Sequence, residues 1–298
     1  MSRVPLSRIA SVALVCVPCL VFSEVYEAPL PGDAFATEPA PTVPAPLRPI
    51  AGKWSGTLIG AQMQQQHTIV VERLEPKFAW VVWSVGVPRS VMGGGQAVWY
   101  RLPGQVRDNS LVLYINGAVA TYKLESNDEV SVVSERGGFN MKGSLKREPM
   151  PLKPYSPDEP GTYWPPSVAQ LQAAESTSPV KATFPESTVI QSAGPDVPAQ
   201  RAKWLGKWQG WACNQRSCDV KLAVLSVTPT TARIVQLYAA DKVAQNPAVR
   251  DAVFEGDELQ LRAGSLNVFY RMRPSGEVEL LRFAPNGTFA WGVMTKVD

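Results

Sequence analysis

Apolar and polar positions alternate with a period of two along two stretches, 51–147 and 201–298, and the period disappears before and between them. In the first stretch the runs 54–59, 68–74, 78–85, 97–106, 111–115, 119–124, 130–134 and 139–145 are rich in Val, Ile, Tyr and Trp, which predicts strands. The residues between them are those that tight turns need: Glu75-Pro76-Lys77, Asp108-Asn109-Ser110, Asn116-Gly117, Ser126-Asn127-Asp128 and Gly137-Gly138. Short strands joined by hairpin turns make an up-and-down meander. The second stretch repeats the first, starting from Gly52-Lys53-Trp54-Ser55-Gly56, which returns as Gly206-Lys207-Trp208-Gln209-Gly210. The pattern predicts an all-β chain of two tandem antiparallel barrels of about eight strands each. A half-open barrel or a sandwich gives the same strand signals.

Most of the 27 Pro of the chain lie outside these stretches. Residues 24–50 form a Pro/Ala-rich segment and 148–200 a Pro-rich linker; fixed φ and missing amide donors keep such sequence out of ladders and helix interiors. Both are expected to be extended and unpacked, leaving two barrels that melt independently. Within the linker, 167–174 has a pattern fit for two helical turns. Residues 1–23 carry Arg3 and Arg8, an apolar run over 9–22 and a small Ser23, the order of a cleaved signal peptide. The run is too short to span a bilayer, so no integral span is expected after its removal, and the mature chain is placed in the periplasm or outside the cell. Cys16 and Cys19 fall within this segment.

Export gives Cys213 and Cys218 an oxidising compartment. They flank a short turn between antiparallel strands and are expected to form a hairpin disulfide. In each copy the motif Trp lies between two Gly at the same point of the first strand. Gly52, Trp54, Gly56, Gly206, Trp208 and Gly210 are therefore assigned to structure.

Gly-x-Trp on the first strand of such a meander resembles the calycin group, which includes lipocalins, avidins and nitrobindin-like barrels. The resemblance implies a barrel in which the Trp packs across the closed end, beneath a basic residue of the last strand; Lys146 or Arg147 and Lys296 lie where that residue would be. It does not carry haem, because the His that ligates it in nitrobindin-like proteins lies late in the chain. Here the one His, His67, is early in the first copy. The repeat also resembles one in bacterial secreted and hydrolase-linked proteins, a resemblance that brings no function with it.

Candidate chemistry is sparse. His67, beside Gln64-Gln65-Gln66, reads as a surface residue in a polar turn. Glu72 and Glu75 read as solvated turn carboxylates. One His and few Cys cannot supply a zinc site, and no cofactor or metal is expected. Gly93-Gly94-Gly95 precedes a strand, so it lacks the helix N-terminus that holds phosphate. The net charge of +3 is scattered along the strands, which argues against nucleic acid.

One face carries information. Ala79, Val81, Trp83 and Val85 share a side of their strand, as do Ala232, Ile234, Gln236 and Tyr238 in the second copy, with Trp80 and Arg233 pointing away. The far end of that face differs between copies and is partly polar, which selects Trp83, Gln236 and Tyr238 as ligand-contacting residues at a cavity mouth. The expectation is a non-enzymatic binding module for a small amphipathic ligand or a sugar. The alternatives are a structural or interaction protein of the cell envelope with plugged barrels, or an accessory domain of a hydrolase system.

Overall fold

The computed structural model describes residues 27–61, 63–90, 95–155, 175–213, 216–241, 243–263, 266–273 and 275–297. The proposed signal peptide, with Cys16 and Cys19, and the helical pattern at 167–174 lie outside these residues.

The chain folds into two closed antiparallel barrels of eight strands. The N-terminal barrel comprises β1 (Gly52–Ile59), β2 (Met63–Leu74), β3 (Phe78–Val85), β4 (Val98–Arg107), β5 (Ser110–Ile115), β6 (Ala118–Ser126), β7 (Glu129–Arg136) and β8 (Phe139–Glu148). The C-terminal barrel comprises β9 (Gly206–Ala212), β10 (Cys218–Val227), β11 (Thr231–Ala240), β12 (Ala248–Glu255), β13 (Glu258–Ala263), β14 (Leu266–Met272), β15 (Val278–Ala284) and β16 (Thr288–Val297). Neighbouring strands pair in sequence order, and each barrel closes because its first strand pairs with both its second and its last: β1 with β2 and β8, β9 with β10 and β16. Inward side chains give each barrel an apolar core. Among the described residues no helix is long and apolar enough to cross a membrane.

The repeated motif closes the bottom of each barrel. Gly52 and Gly206 adopt φ of +114° and +132°, which a side chain would strain. At Gly56 and Gly210 a Cβ would collide with the Ser144 and Val293 carbonyls of the last strand, so these glycines allow close approach of that strand rather than of the ring. Trp54 is fully buried; its indole donates to the Ile50 carbonyl at 2.8 Å, and the Arg147 guanidinium lies 4.2 Å from its ring. Trp208 donates to Trp204 at 3.0 Å beneath Lys296, at 5.4 Å. Each motif Trp is thus covered by a cation of the last strand, Arg147 or Lys296.

The Pro-rich segments depart from the expectation that they would not pack. From residue 27 the first one crosses the outer face of β2 and β3, where Leu30, Ala34 and Ala36 cover Val70 and Val82. Thr37 Oγ1 donates to the Glu72 carbonyl, Ala40 N–H to Leu74, and Arg101 holds Asp33 with two hydrogen bonds of 2.8 and 3.0 Å. A 3-10 turn, Ala45–Ile50, then inserts Leu47 and Ile50 under Trp54. Residues 175–197 follow the same course over β10 and β11: Val180, Ala182, Phe184 and Ile190 cover Ala223, Val235, Leu237 and Ala239, and Asp219 accepts from the Ala182 N–H at 2.8 Å. Proline forbids ladder bonds but not burial. Apolar residues between the prolines find an outer sheet face, and the backbone finds partners one at a time.

The barrels are not independent either. Phe78 and Trp80 of β3 and Tyr114 of β5 point out of the N-terminal barrel and pack on Trp211, Phe269, Phe283 and Trp291 of the other. Phe78 meets Phe269 edge-on at 5.1 Å, and Trp80 meets Trp291 edge-on at 6.2 Å. Ionic groups flank this cluster. Arg271 pairs with Glu75 across the interface and with Glu258 at 3.2 Å, Arg73 with Glu75 at 2.8 Å, and Lys77 with Glu255 and Glu258. Burial alone would push the Glu279 carboxyl up, but Arg273, Arg271 and the Trp291 indole hold it below the ordinary carboxylate value. Glu75 is therefore a buried bridge, and Glu72, paired with Arg101 at 3.2 Å, is buried too; neither is a solvated turn carboxylate.

Two outcomes follow. Trp54→Ala should cost about 3–5 kcal/mol and, through the interface, lower the melting of both barrels together in calorimetry. Phe283→Ala, which truncates a buried ring contacting Phe78, Tyr114 and Phe269, should cost a similar amount and separate one cooperative transition into two.

Candidate functional site

The strand registers align the two lumens residue by residue. Trp54 pairs with Ile69 and that with Trp83; Trp208 pairs with Leu222 and that with Gln236. Gln236 thus stands where the N-terminal barrel has Trp83. By the same registers Val220 stands for His67, Tyr238 for Val85, Tyr270 for Tyr122, Ala248 for Tyr100, Arg250 for Leu102 and Arg282 for Ser134.

In the N-terminal barrel these positions form a plug. His67 is fully buried, not a surface residue in a polar turn: β2 begins at Met63, so the glutamines before it are already strand and His67 falls on the inward parity. Its Nδ1 lies 2.7 Å from the Ser84 carbonyl, which only accepts, so Nδ1 carries the proton. Nε2 therefore accepts from the Tyr122 hydroxyl at 2.8 Å. Burial lowers the His67 pKa to about 4 and raises that of Tyr122, whose hydroxyl is also bonded by Trp83. Trp83 lies 5.7 Å from the His67 ring and stacks on Tyr100 at 6.0 Å. Trp83, selected from the sequence as a ligand contact, is thus part of this plug.

The C-terminal barrel lacks those large side chains and holds a cavity of about 160 Å³, with Gln236 and Tyr238 on its wall. Val220, Leu261, Leu280 and Met294 make its apolar side. Tyr270, which has lost the His partner of its counterpart, lines the cavity with a buried hydroxyl whose neighbour is Gln236, in the register position of Trp83; burial raises its pKa and Gln236 works against that rise. Arg282 lies 5.9 Å from the Tyr238 ring, and Arg250 lines the mouth. Tyr238 is fixed at its other end: its hydroxyl lies 3.1 Å from Cys213 Sγ and 2.7 Å from Cys218 Sγ, and those two cysteines form the disulfide expected from the sequence.

The structure thus brings Gln236 and Tyr238 to one cavity and places Trp83 in the other barrel. Val220, Tyr270, Arg250 and Arg282 are further cavity residues that the single-face argument omitted. Aligning the strands facing that face, position by position between copies, would have found them. A second cleft, of about 280 Å³, lies between the barrels, but its walls carry Arg73, Arg271 and Arg273 alongside Glu75 and Glu279, charges that serve the interface. Among the described residues no group of three or more His, Cys, Asp or Glu is placed to hold a metal ion. No family model and no curated protein matches the chain.

The plug makes a pH-dependent contribution to stability. Between pH 6.5 and about 4 the unfolded chain protonates His67 and the folded chain does not, so this contribution is complete above the unfolded pKa and is lost as pH falls toward 4. The full loss is about 3 kcal/mol. Glu72, which burial pushes up to about 7, acts in the opposite sense over an overlapping window. Denaturant titrations of wild type and of the non-titrating His67→Gln should therefore differ in slope between pH 4 and 6.5, with wild type losing more stability on acidification.

Proposed function

We propose that the protein is a non-enzymatic, extracytoplasmic binding module whose C-terminal barrel takes a small amphipathic ligand, while the N-terminal barrel is a plugged partner that supports it. The observation that carries this reading is the difference between two lumens of one design. Where the first has His67, Trp83 and Tyr100, the second has Val220, Gln236 and Ala248, and the space so opened is bounded by Leu280 on one side and by Gln236 and the buried Tyr270 on the other. Apolar walls with a few convergent polar groups are the usual make-up of a small-molecule site. A barrel relationship to the calycin group is part of the proposal, supported by Trp54 beneath Arg147 and Trp208 beneath Lys296. Export is supported by the residue order of the N-terminus and agrees with the Cys213–Cys218 bond.

The envelope-scaffold alternative keeps one observation in its favour, the filled lumen around His67. It applies to the N-terminal half.

The test rebuilds the plug. Titration of the full chain with benzyl alcohol, followed by NMR, should shift resonances of Tyr270, Leu280 and Met294 and leave those of Tyr122 unmoved. The double variant Val220→His, Gln236→Trp should abolish the shifts while retaining the wild-type fold by circular dichroism. Shifts centred on Tyr122, or shifts that persist in the double variant, would remove the C-terminal cavity as the site.

A further inference from the structure

The cavity differs from its plugged counterpart in charge as well as in volume. Leu102 and Ser134 of the first lumen become Arg250 and Arg282 in the second, two cations gained on inward positions of β12 and β15. Lys221 points the other way, its ammonium 5.4 Å from the Phe184 ring on the outer face, and among the described residues no Asp or Glu lines the opening. Among the described residues neither Arg250 nor Arg282 has a carboxylate partner; Asp251, the acid next to Arg250, faces outward and pairs with Arg233 at 3.1 Å. The acidic side chain closest to acting on the site is Asp241, beyond the end of β11, which opposes Arg282 in its effect on Tyr238.

The donors converge on one kind of group. Guanidinium groups only donate, Tyr270 buries its hydroxyl beside Gln236, and Gln236, Gln245 and Asn246 add amide N–H groups. Two guanidinium groups beside an apolar floor call for an acceptor with negative charge attached to an apolar body. Size limits that body. A dry cavity of about 150 Å³ holds benzene, and this one is about 160 Å³.

We propose that the C-terminal barrel selects a small organic monoanion, a carboxylate with a body the size of a single six-membered ring, seated against Leu261, Leu280 and Met294 with its oxygens toward Arg282, Arg250 and Tyr270. The proposal rests on the binding-module reading and adds the charge and size of the ligand. Among the described residues the wall has no acidic group to hold a cationic ligand.

Isothermal calorimetry on the full chain separates the two levels. The probes are benzoate, its neutral isosteres benzamide and benzyl alcohol, and inorganic phosphate. Benzoate is expected to bind about tenfold or more tighter than benzamide, the gain from a charge-assisted contact. Arg282→Met is expected to erase that preference without abolishing binding of the neutral probes, and Arg282→Lys to restore part of it. Thermal melting of both variants verifies that the barrel is intact. Equal affinity for benzoate and benzamide overturns the anion assignment and leaves the cavity as a site for neutral ligands. Displacement of benzoate by phosphate at equal concentration overturns the requirement for an apolar body. Absence of binding by benzoate and by both neutral isosteres at millimolar concentration overturns the binding-module reading itself.

Discussion

Each barrel depends on a buried indole whose one polar atom must be satisfied from outside the sheet. Trp54 and Trp208 sit where the first strand enters the barrel, and ladder bonds have no spare acceptor for their N–H groups. In both copies the acceptor is the carbonyl four residues earlier, Ile50 or Trp204, so the chain before the first strand has to turn beneath the barrel. Arg147 or Lys296 then covers the ring from the last strand, tying the beginning of the barrel to its end. Closure, capping and the course of the preceding segment follow from that single requirement.

This explains why the repeat is longer than its strands. In both copies a Pro-containing strap crosses the outer face of the second and third strands before it turns under the Trp. The strap hides apolar outer residues that would otherwise be exposed: Val70 and Val82 in one copy, Val235 and Leu237 in the other. A different part of the outer surface is hidden by the second barrel. Phe78, Trp80 and Tyr114 against Phe269, Phe283 and Trp291 give that contact its apolar centre, and Glu75 with Arg271 gives it register, since a buried carboxylate displaced from its guanidinium partners would be costly.

With the shell held in this way, the lumens were free to diverge. The N-terminal one satisfies its tyrosine internally, through His67 and Trp83. The C-terminal one keeps the tyrosine, loses the His and has Gln236 in place of the Trp, and the disulfide steadies the rim by packing Tyr238 against both sulfurs. A solvated surface tolerates such divergence poorly as a clue to function, because most of its changes are neutral. A lumen is informative because every lost side chain leaves either a space or an unsatisfied group.

The sequence by itself determined the strand pattern, the duplication, the inward faces of Trp83, Gln236 and Tyr238, the structural place of Trp54 and Trp208, and the Cys213–Cys218 pairing. All of these are written in residues a few positions apart, through period two, turn chemistry and a repeated motif. Tertiary structure alone decided what lies opposite each face. His67 looked polar because its sequence neighbours are glutamines, but its spatial neighbours are Tyr122 and Trp83. Glu72 and Glu75 looked solvated because they flank a turn, yet Arg101 and Arg271 come from distant strands to bury them. The straps had no period to read, since irregular chain packs through partners supplied by the sheet it crosses. The cavity, too, was out of reach of a single face: its volume and charge arise from Val220, Arg250, Tyr270 and Arg282, which stand on four strands that only barrel closure brings around one space.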